Sequence, residues 1–345
     1  VAAAPGGLDM SASWPQRRVL VTGATGIVGS WLCNELLERG ASVVAFVRDD
    51  DPQSHFYTSG AAKAGSIVRG DLARYEDCTR AINSYEIEIV FHLGAQTLVG
   101  TALRDPLDTF ESNIRGTYNM LEAARHFPTL VKAVVVASSD KAYGDALGRP
   151  YVEDMPLRAN HPYDVSKSCA DLLATTYAHT YGVPIGIARC GNIYGGGDLN
   201  WSRIVPGTIR SLLRGARPEL RSDGSLVRDY IYVRDVVAAY MLVAESIAAG
   251  ATPGEAYNFS CESRVTVLEM VDRLATLCGV RLEPSIASDT VRFEIREQTL
   301  SAAKARAALG WEPAWPLDDG LIETIAWYRN HLGYVRLPPI LDAVR

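Results

Sequence analysis

Tyr163 and Lys167 stand four residues apart, just after His161-Pro162, a pair that marks a helix start. At that spacing the two side chains share one helix face. An ammonium beside a phenol stabilises the phenolate and lowers its pKa. A phenol tuned in this way can take a proton from a hydroxyl while hydride leaves the adjoining carbon. Ser139 ends the apolar run that begins at Ala133, and its hydroxyl can bond the same oxygen. A Tyr-x-x-x-Lys match alone is common by chance. A match that follows both a glycine loop and a strand-end Ser, in that order, is specific. Asp140 and Lys141 come directly after Ser139 and add a second pair of groups able to move protons. The candidate catalytic set is therefore Ser139, Asp140, Lys141, Tyr163 and Lys167.

These residues need a frame, and the alternation of strands and helices supplies it. Arg18–Thr22 reads as a strand that runs into Gly23-Ala-Thr25-Gly26-Ile27-Val28-Gly29, then an amphipathic helix closed by Gly40, then a strand from Ser42 to Val47. In such a unit one glycine makes the tight turn, one lets backbone approach a pyrophosphate and one lets helix and strand pack closely. The anion then sits on the free N–H groups of the helix N-terminus. The tip of the second strand reports the cofactor. Arg48 could face a 2′-phosphate, while Asp49 could hold a ribose 2′-OH, so NAD and NADP both stay open. Val90–Gln96 is a further strand ending in small residues, and Leu93 and Ala95 there are expected against the cofactor, with Gln96 on the substrate side. His92 reads as a packed strand residue. Strands alternating with helices throughout predict an α/β chain with a doubly wound parallel sheet of the Rossmann type.

The spacing GxxGxxG, with the Ser, Tyr and Lys that follow, resembles the short-chain dehydrogenase/reductase superfamily. The resemblance implies an adenine contact at Asp71 and Leu72, and a site-shaping role for Asn113. Arg189-Cys-Gly-Asn192-Ile-Tyr194-Gly195 and Arg228-Asp-Tyr-Ile-Tyr-Val-Arg-Asp235 are similar to motifs of the extended branch, the NAD-dependent epimerase/dehydratases. There Asn192 and Arg228 would contact the diphosphate of a nucleotide-sugar. Ser-Asp140-Lys141 and the stretch Gly195–Asp198 with Arg203 and Pro206 resemble the CDP-glucose 4,6-dehydratases, although the Arg-Pro-Trp usual in that group near Arg228 is missing. The nucleotide base therefore stays open. The implied reaction is conversion of a nucleotide-hexose to a 4-keto-6-deoxyhexose on a tightly bound, recycled NAD(P). Two alternatives remain, a 4-epimerase and a non-catalytic dinucleotide-binding sensor. Arg217 and Arg221 are either further anion contacts or surface charges, and Asp198 either serves the site or caps a turn.

The 345 residues carry 40 Asp+Glu against 34 Lys+Arg, a net charge of −6. Nucleic-acid binding gains no support from that balance. The longest apolar runs fall far below a membrane span. The six cysteines never form a CxxC pair and read as buried small hydrophobes in a reducing compartment, so a cytoplasmic enzyme without metal is expected. Residues 1–14 lack the charged start and apolar core of a signal peptide and are expected to form a disordered tail. Residues 15–190 with 231–256 are expected to form the cofactor domain. Residues 191–230 with 257–345 are expected to form the nucleotide-sugar domain. Leu172, Leu173 and Tyr177, beyond the catalytic face of their helix, suggest a homodimer.

Overall fold

The computed structural model describes residues 14–145, 148–286 and 295–334. Seven strands form one parallel sheet in the order Ala256–Phe259, Ile185–Cys190, Ala133–Ser139, Ile89–His92, Arg18–Thr22, Ser42–Val47, Ser66–Arg69. The order reverses direction at Arg18–Thr22, the switch point where ligands bind beyond the carboxyl ends of the strands.

Strand side chains alternate between two buried faces, which is why these strands are apolar at nearly every position. Val19, Val21, Phe91 and Val135 point one way and pack under the helices Ile27–Glu38 and Val233–Ala248. Leu20, Val90, Val134 and Val136 point the other way and meet the helices Tyr75–Ser84, Gly116–His126 and Pro162–Tyr181. A third core around Ile209, Leu212, Leu274, Leu321 and Ile325 joins the helices Ile204–Leu213, Val267–Cys278 and Leu317–His331. Val28, Trp31 and Ile193 pack on the first core as well as the third, so the cores abut beside the glycine loop. Short ladders cross to this region. Asn192–Tyr194 pairs with Tyr230–Tyr232, and Val227–Arg228 lies between Val265–Thr266 and Glu297–Gln298.

Three expectations change. Trp14 is not part of a loose tail. It is buried, stacks on Phe91 and donates its indole N–H to Glu245, because a large ring with one polar atom gains most by covering the sheet's flank. The outer strand of the central sheet runs to Phe259, beyond the 256 boundary, since backbone pairing with Ile187–Cys190 carries it there. Of the residues read as a dimer face, Leu173 and Tyr177 pack on the chain's own second core, and Leu172 stays exposed. All six cysteines are free thiols, four of them buried. Among the described residues no helix is long and apolar enough to cross a membrane, and no group of three or more His, Cys, Asp or Glu is placed to hold a metal ion.

Candidate active site

The glycine loop fits a dinucleotide by what it leaves out. A Cβ on Gly23 would stand 2.9 Å from Gly94 Cα, and Gly23 has φ +68°, a conformation that L side chains rarely adopt. A Cβ on Gly29 would stand 2.2 Å from the Gly23 carbonyl oxygen. Loop, helix and neighbouring strand are thus drawn together until no side chain fits between them. The Gly26 N–H closes the turn on the Gly23 carbonyl at 3.0 Å. Among the described residues no side chain caps the helix Ile27–Glu38 that follows, which leaves its first N–H groups for an anion. Thr25, Ile27 and Val28 are part-buried around this mouth.

At the tip of the second strand Arg48 is exposed and paired with Asp49 at 2.7 Å. Asp71 and Asp108 add to the negative field around it. Asp50 is paired in turn with Arg69 at 2.8 Å. A cation already held by carboxylates is a poor receptor for a 2′-phosphate, whereas carboxylates suit a ribose diol. Asp71 caps its own turn by accepting from the Ala73 N–H, and the Leu72 carbonyl accepts from Asn119 Nδ2 at 2.8 Å. The Leu72 side chain packs on Gly94 and Gly116 and so floors the cleft. The N–H groups of Leu93 and Gly94 both donate to Thr22 Oγ1, at 3.0 and 2.9 Å. Thr22 also bonds His92, which in turn bonds Thr117. Burial pushes the His92 imidazole down to about 3, consistent with a packed neutral ring.

Asn113 lies in the π-turn Glu111–Arg115, where a helix is locally widened, a feature found often at functional sites. Its amide bonds the Gln96 backbone on both sides, at 2.7 and 3.0 Å, and reaches Ser166 Oγ at 2.8 Å. It therefore fixes the loop after Leu93 and Ala95 against the helix Pro162–Tyr181. The Gln96 side chain turns back to accept from Leu98 N–H at 2.7 Å, which uses its carbonyl locally.

Strand Ala133–Ser139 delivers Ser139 to the mouth of the cleft, and the one-turn helix Asp140–Tyr143 follows at once. Ser139 Oγ donates to Asp140 Oδ1 at 2.9 Å and accepts from the Lys141 N–H at 3.2 Å. Asp140 is buried, and its Oδ2 has no hydrogen-bond partner among the described residues. Lys167 Nζ donates to the Ala137 carbonyl at 2.9 Å, and burial lowers its pKa to about 8. Burial pushes the Tyr163 phenol up to about 12. The charge of Arg203 and a hydrogen bond with Ser139 draw it down, while Asp140 and Asp164 push it up. The sequence pointed to Lys167 as the cation acting on the phenol. The fold adds Arg203, which the sequence assigned to substrate, as a cation that acts on the same phenol.

From the substrate side, Asn192 lies on the edge of the cleft with its Nδ2 buried and unpartnered among the described residues. Arg203 opens the helix Ile204–Leu213 and pairs with the buried Asp198 at 3.1 Å. Asp198 also caps a turn by accepting from the Asn200 N–H at 3.0 Å. Arg228 is buried and braced by the carbonyls of Val227 and Ile295. Asp235 of the same motif accepts from the N–H groups of Ala314 and Trp315, a structural role. Arg217 and Arg221 bind backbone carbonyls of nearby loops. Sequence reasoning missed Gln298, which reaches Lys141, and the pair Arg189–Asp171, which braces Tyr143. Arg189 lay within a quoted motif, but nothing in the sequence named Asp171 or Gln298 as partners.

The model of the NAD dependent epimerase/dehydratase family matches residues 19–259. CDP-glucose 4,6-dehydratase of Salmonella typhimurium is 31% identical over 335 residues, covering 92% of this chain and 91% of that protein. The solved UDP-glucose 4-epimerase of Thermotoga maritima, with UDP-glucose, superposes with a TM-score of 0.83 at 28% identity, covering 91% of this chain and 99% of that one. A dTDP-glucose 4,6-dehydratase of Streptomyces venezuelae with NAD bound gives 0.82 at 26% identity, covering 92% and 98%.

Proposed function

The chain belongs to the NAD dependent epimerase/dehydratase family, and from that premise we propose that it is a nucleotide-sugar 4,6-dehydratase working with NAD. The observation that carries this reading is the turn Ser139-Asp140-Lys141. It brings a buried carboxyl with a spare oxygen beside the Ser139 hydroxyl and close enough to act on the Tyr163 phenol, followed directly by a lysine. An epimerisation at C4 needs one proton acceptor. Loss of water across C5 and C6 needs a base for the C5 proton and an acid for the C6 hydroxyl as well.

The dinucleotide, when bound, supplies the reversible hydride acceptor that oxidation at C4 and a later reduction at C6 require. Tyr163 takes the proton of the C4 hydroxyl, with Ser139 on the same oxygen. Arg203 and Lys167 keep the surroundings of the phenolate cationic, which lowers the cost of forming it. The ketone at C4 acidifies the C5–H bond. Asp140 and Lys141 then share the removal of that proton and the protonation of the departing C6 oxygen. Asn192 and Arg228 hold the diphosphate, where charge-assisted hydrogen bonds are strong. The carboxylates around Arg48 favour NAD over NADP. Redox is balanced within the cycle, so the cofactor stays bound between turnovers. We propose a cytoplasmic homodimer in which the exposed Leu172 takes part, a state that sedimentation would test.

The test is incubation with CDP-glucose and, in parallel, dTDP-, UDP- and GDP-hexoses in deuterated water. Dehydration gives a product lighter by one water that carries deuterium at C5. An isobaric C4 epimer without deuterium would instead support the epimerase reading, which the Thermotoga neighbour favours. Tight NAD binding with no turnover on any of these sugars would overturn both.

A further inference from the structure

The turn that carries Asp140 and Lys141 is reached by one side chain from the far end of the chain. Gln298 sits in the short strand Glu297–Gln298, with none of its surface exposed, in parallel register with Arg228. Its Oε1 accepts from Lys141 Nζ at 3.1 Å. Its Nε2 is buried on the side of the Tyr151 phenol, which a hydrogen bond from Gln298 draws down, but makes no bond of full hydrogen-bond geometry among the described residues. The charged and titratable groups around Lys141 are Asp140 on its own turn and Asp164 on the helix Pro162–Tyr181, whose carboxyl feels the Lys141 charge. Tyr151 and Arg228 lie on the Gln298 side. Among the described residues none of these carboxylates forms an ion pair with Lys141, so a neutral amide is its partner.

We propose that Gln298 is a positioning residue that holds the Lys141 nitrogen in place in both of its protonation states. An amide carries an acceptor and two donors on one planar group. It accepts from the ammonium, and after rotation its Nε2 donates to the lone pair of the neutral amine. A carboxylate would favour the ammonium over the amine and offer the amine's lone pair no donor, and an apolar side chain would hold neither form. This inference rests on the dehydratase reading. In that step the C5–H and C6–O bonds break, the C5=C6 bond forms, and the proton and hydroxyl leave as water. A lysine taking part in it changes its protonation state without leaving its place.

The test uses full-length enzyme with Gln298→Met and Gln298→Glu, and Lys141→Met as the reference. The limb of the pH profile that Lys141→Met abolishes should move to higher pH in Gln298→Glu. In Gln298→Met kcat should fall about tenfold with KM nearly unchanged, a part of the 10²–10⁴ that proton transfer supplies. A second readout needs no turnover. Peptide-resolved acetylation by acetic anhydride at neutral pH should slow at Lys141 in Gln298→Glu, with the other lysines unchanged. Wild-type pH limbs and wild-type labelling in both variants would overturn the proposal. So would a uniform loss of folding stability with no change at Lys141. If no nucleotide-hexose is dehydrated, the reading of the reaction fails, while the labelling still decides the role of Gln298.

Discussion

Replacing Gly29 by Ala tests whether the glycine loop is a packed cradle. The new Cβ would lie 2.2 Å from the Gly23 oxygen, 2.8 Å from its carbonyl carbon and 2.9 Å from Ala24 Cα. Carbon and carbonyl oxygen normally approach to about 3.3–3.6 Å, so a gap of about 1 Å must open. The atoms struck are backbone, with no rotamer to move. Overpacking of this kind costs about 1–3 kcal/mol. The helix propensity of Ala over Gly returns at most about 1 kcal/mol. The net effect is a melting temperature lower by a few degrees, since about 1 kcal/mol moves a domain of 150–250 residues by about 2–4 °C. Any displacement of the helix N-terminus also weakens NAD, by about tenfold for each 1.4 kcal/mol. Gly26→Ala is the control. Its Cβ would meet only the Gly23 oxygen, at 3.3 Å, and its φ of −74° suits any residue. That variant should melt like the wild type yet lose the stabilisation by NAD, which is about 2.7 kcal/mol at a hundred times Kd. Thermal melts with and without NAD read both effects. Gly29→Ala with wild-type melting and affinity would refute the packing argument, and Gly26→Ala with the NAD shift intact would refute the close approach of the pyrophosphate to this loop.

Tyr163→Phe should lower kcat by about 10²–10⁴ while nucleotide-sugar binding by calorimetry stays near wild type, because it removes the proton acceptor and little else. His92 is held neutral with its pKa depressed to about 3, so the unfolded chain takes up the proton first. Stability attributable to His92 is therefore present above pH 6.5 and falls on acidification through the window down to about 3, by about 3 kcal/mol at pH 4. Denaturant melts across that range should show the slope, and His92→Asn should flatten it. Arg189 and Asp171 form a buried bidentate pair at 2.8 Å. Removing either partner should cost about 3–5 kcal/mol in chemical denaturation, and Arg189→Met with Asp171→Leu together should cost less than the sum of the two.

Much of the site was legible in the sequence because its parts are local. A strand, a glycine turn and a helix are neighbours in the chain, so Gly23, Gly26 and Gly29 announce themselves, as do Tyr163 and Lys167 one helical turn apart. The alternation of apolar strands with amphipathic helices likewise determined a parallel sheet with helices on both faces. Packing decided what lies between distant segments. Trp14 looked like tail and proved to be core, because its burial depends on Phe91 and Glu245, far along the chain. Arg48 offered two cofactors until its ion pair with Asp49 and the nearby carboxylates set the field around it. Arg203 acts on the Tyr163 phenol, and the partner of Lys141 is Gln298. A motif records spacing along the chain, whereas a hydrogen bond at 3 Å or a field at a phenol depends on where folding brings remote segments. Those distances exist once the cores have packed together.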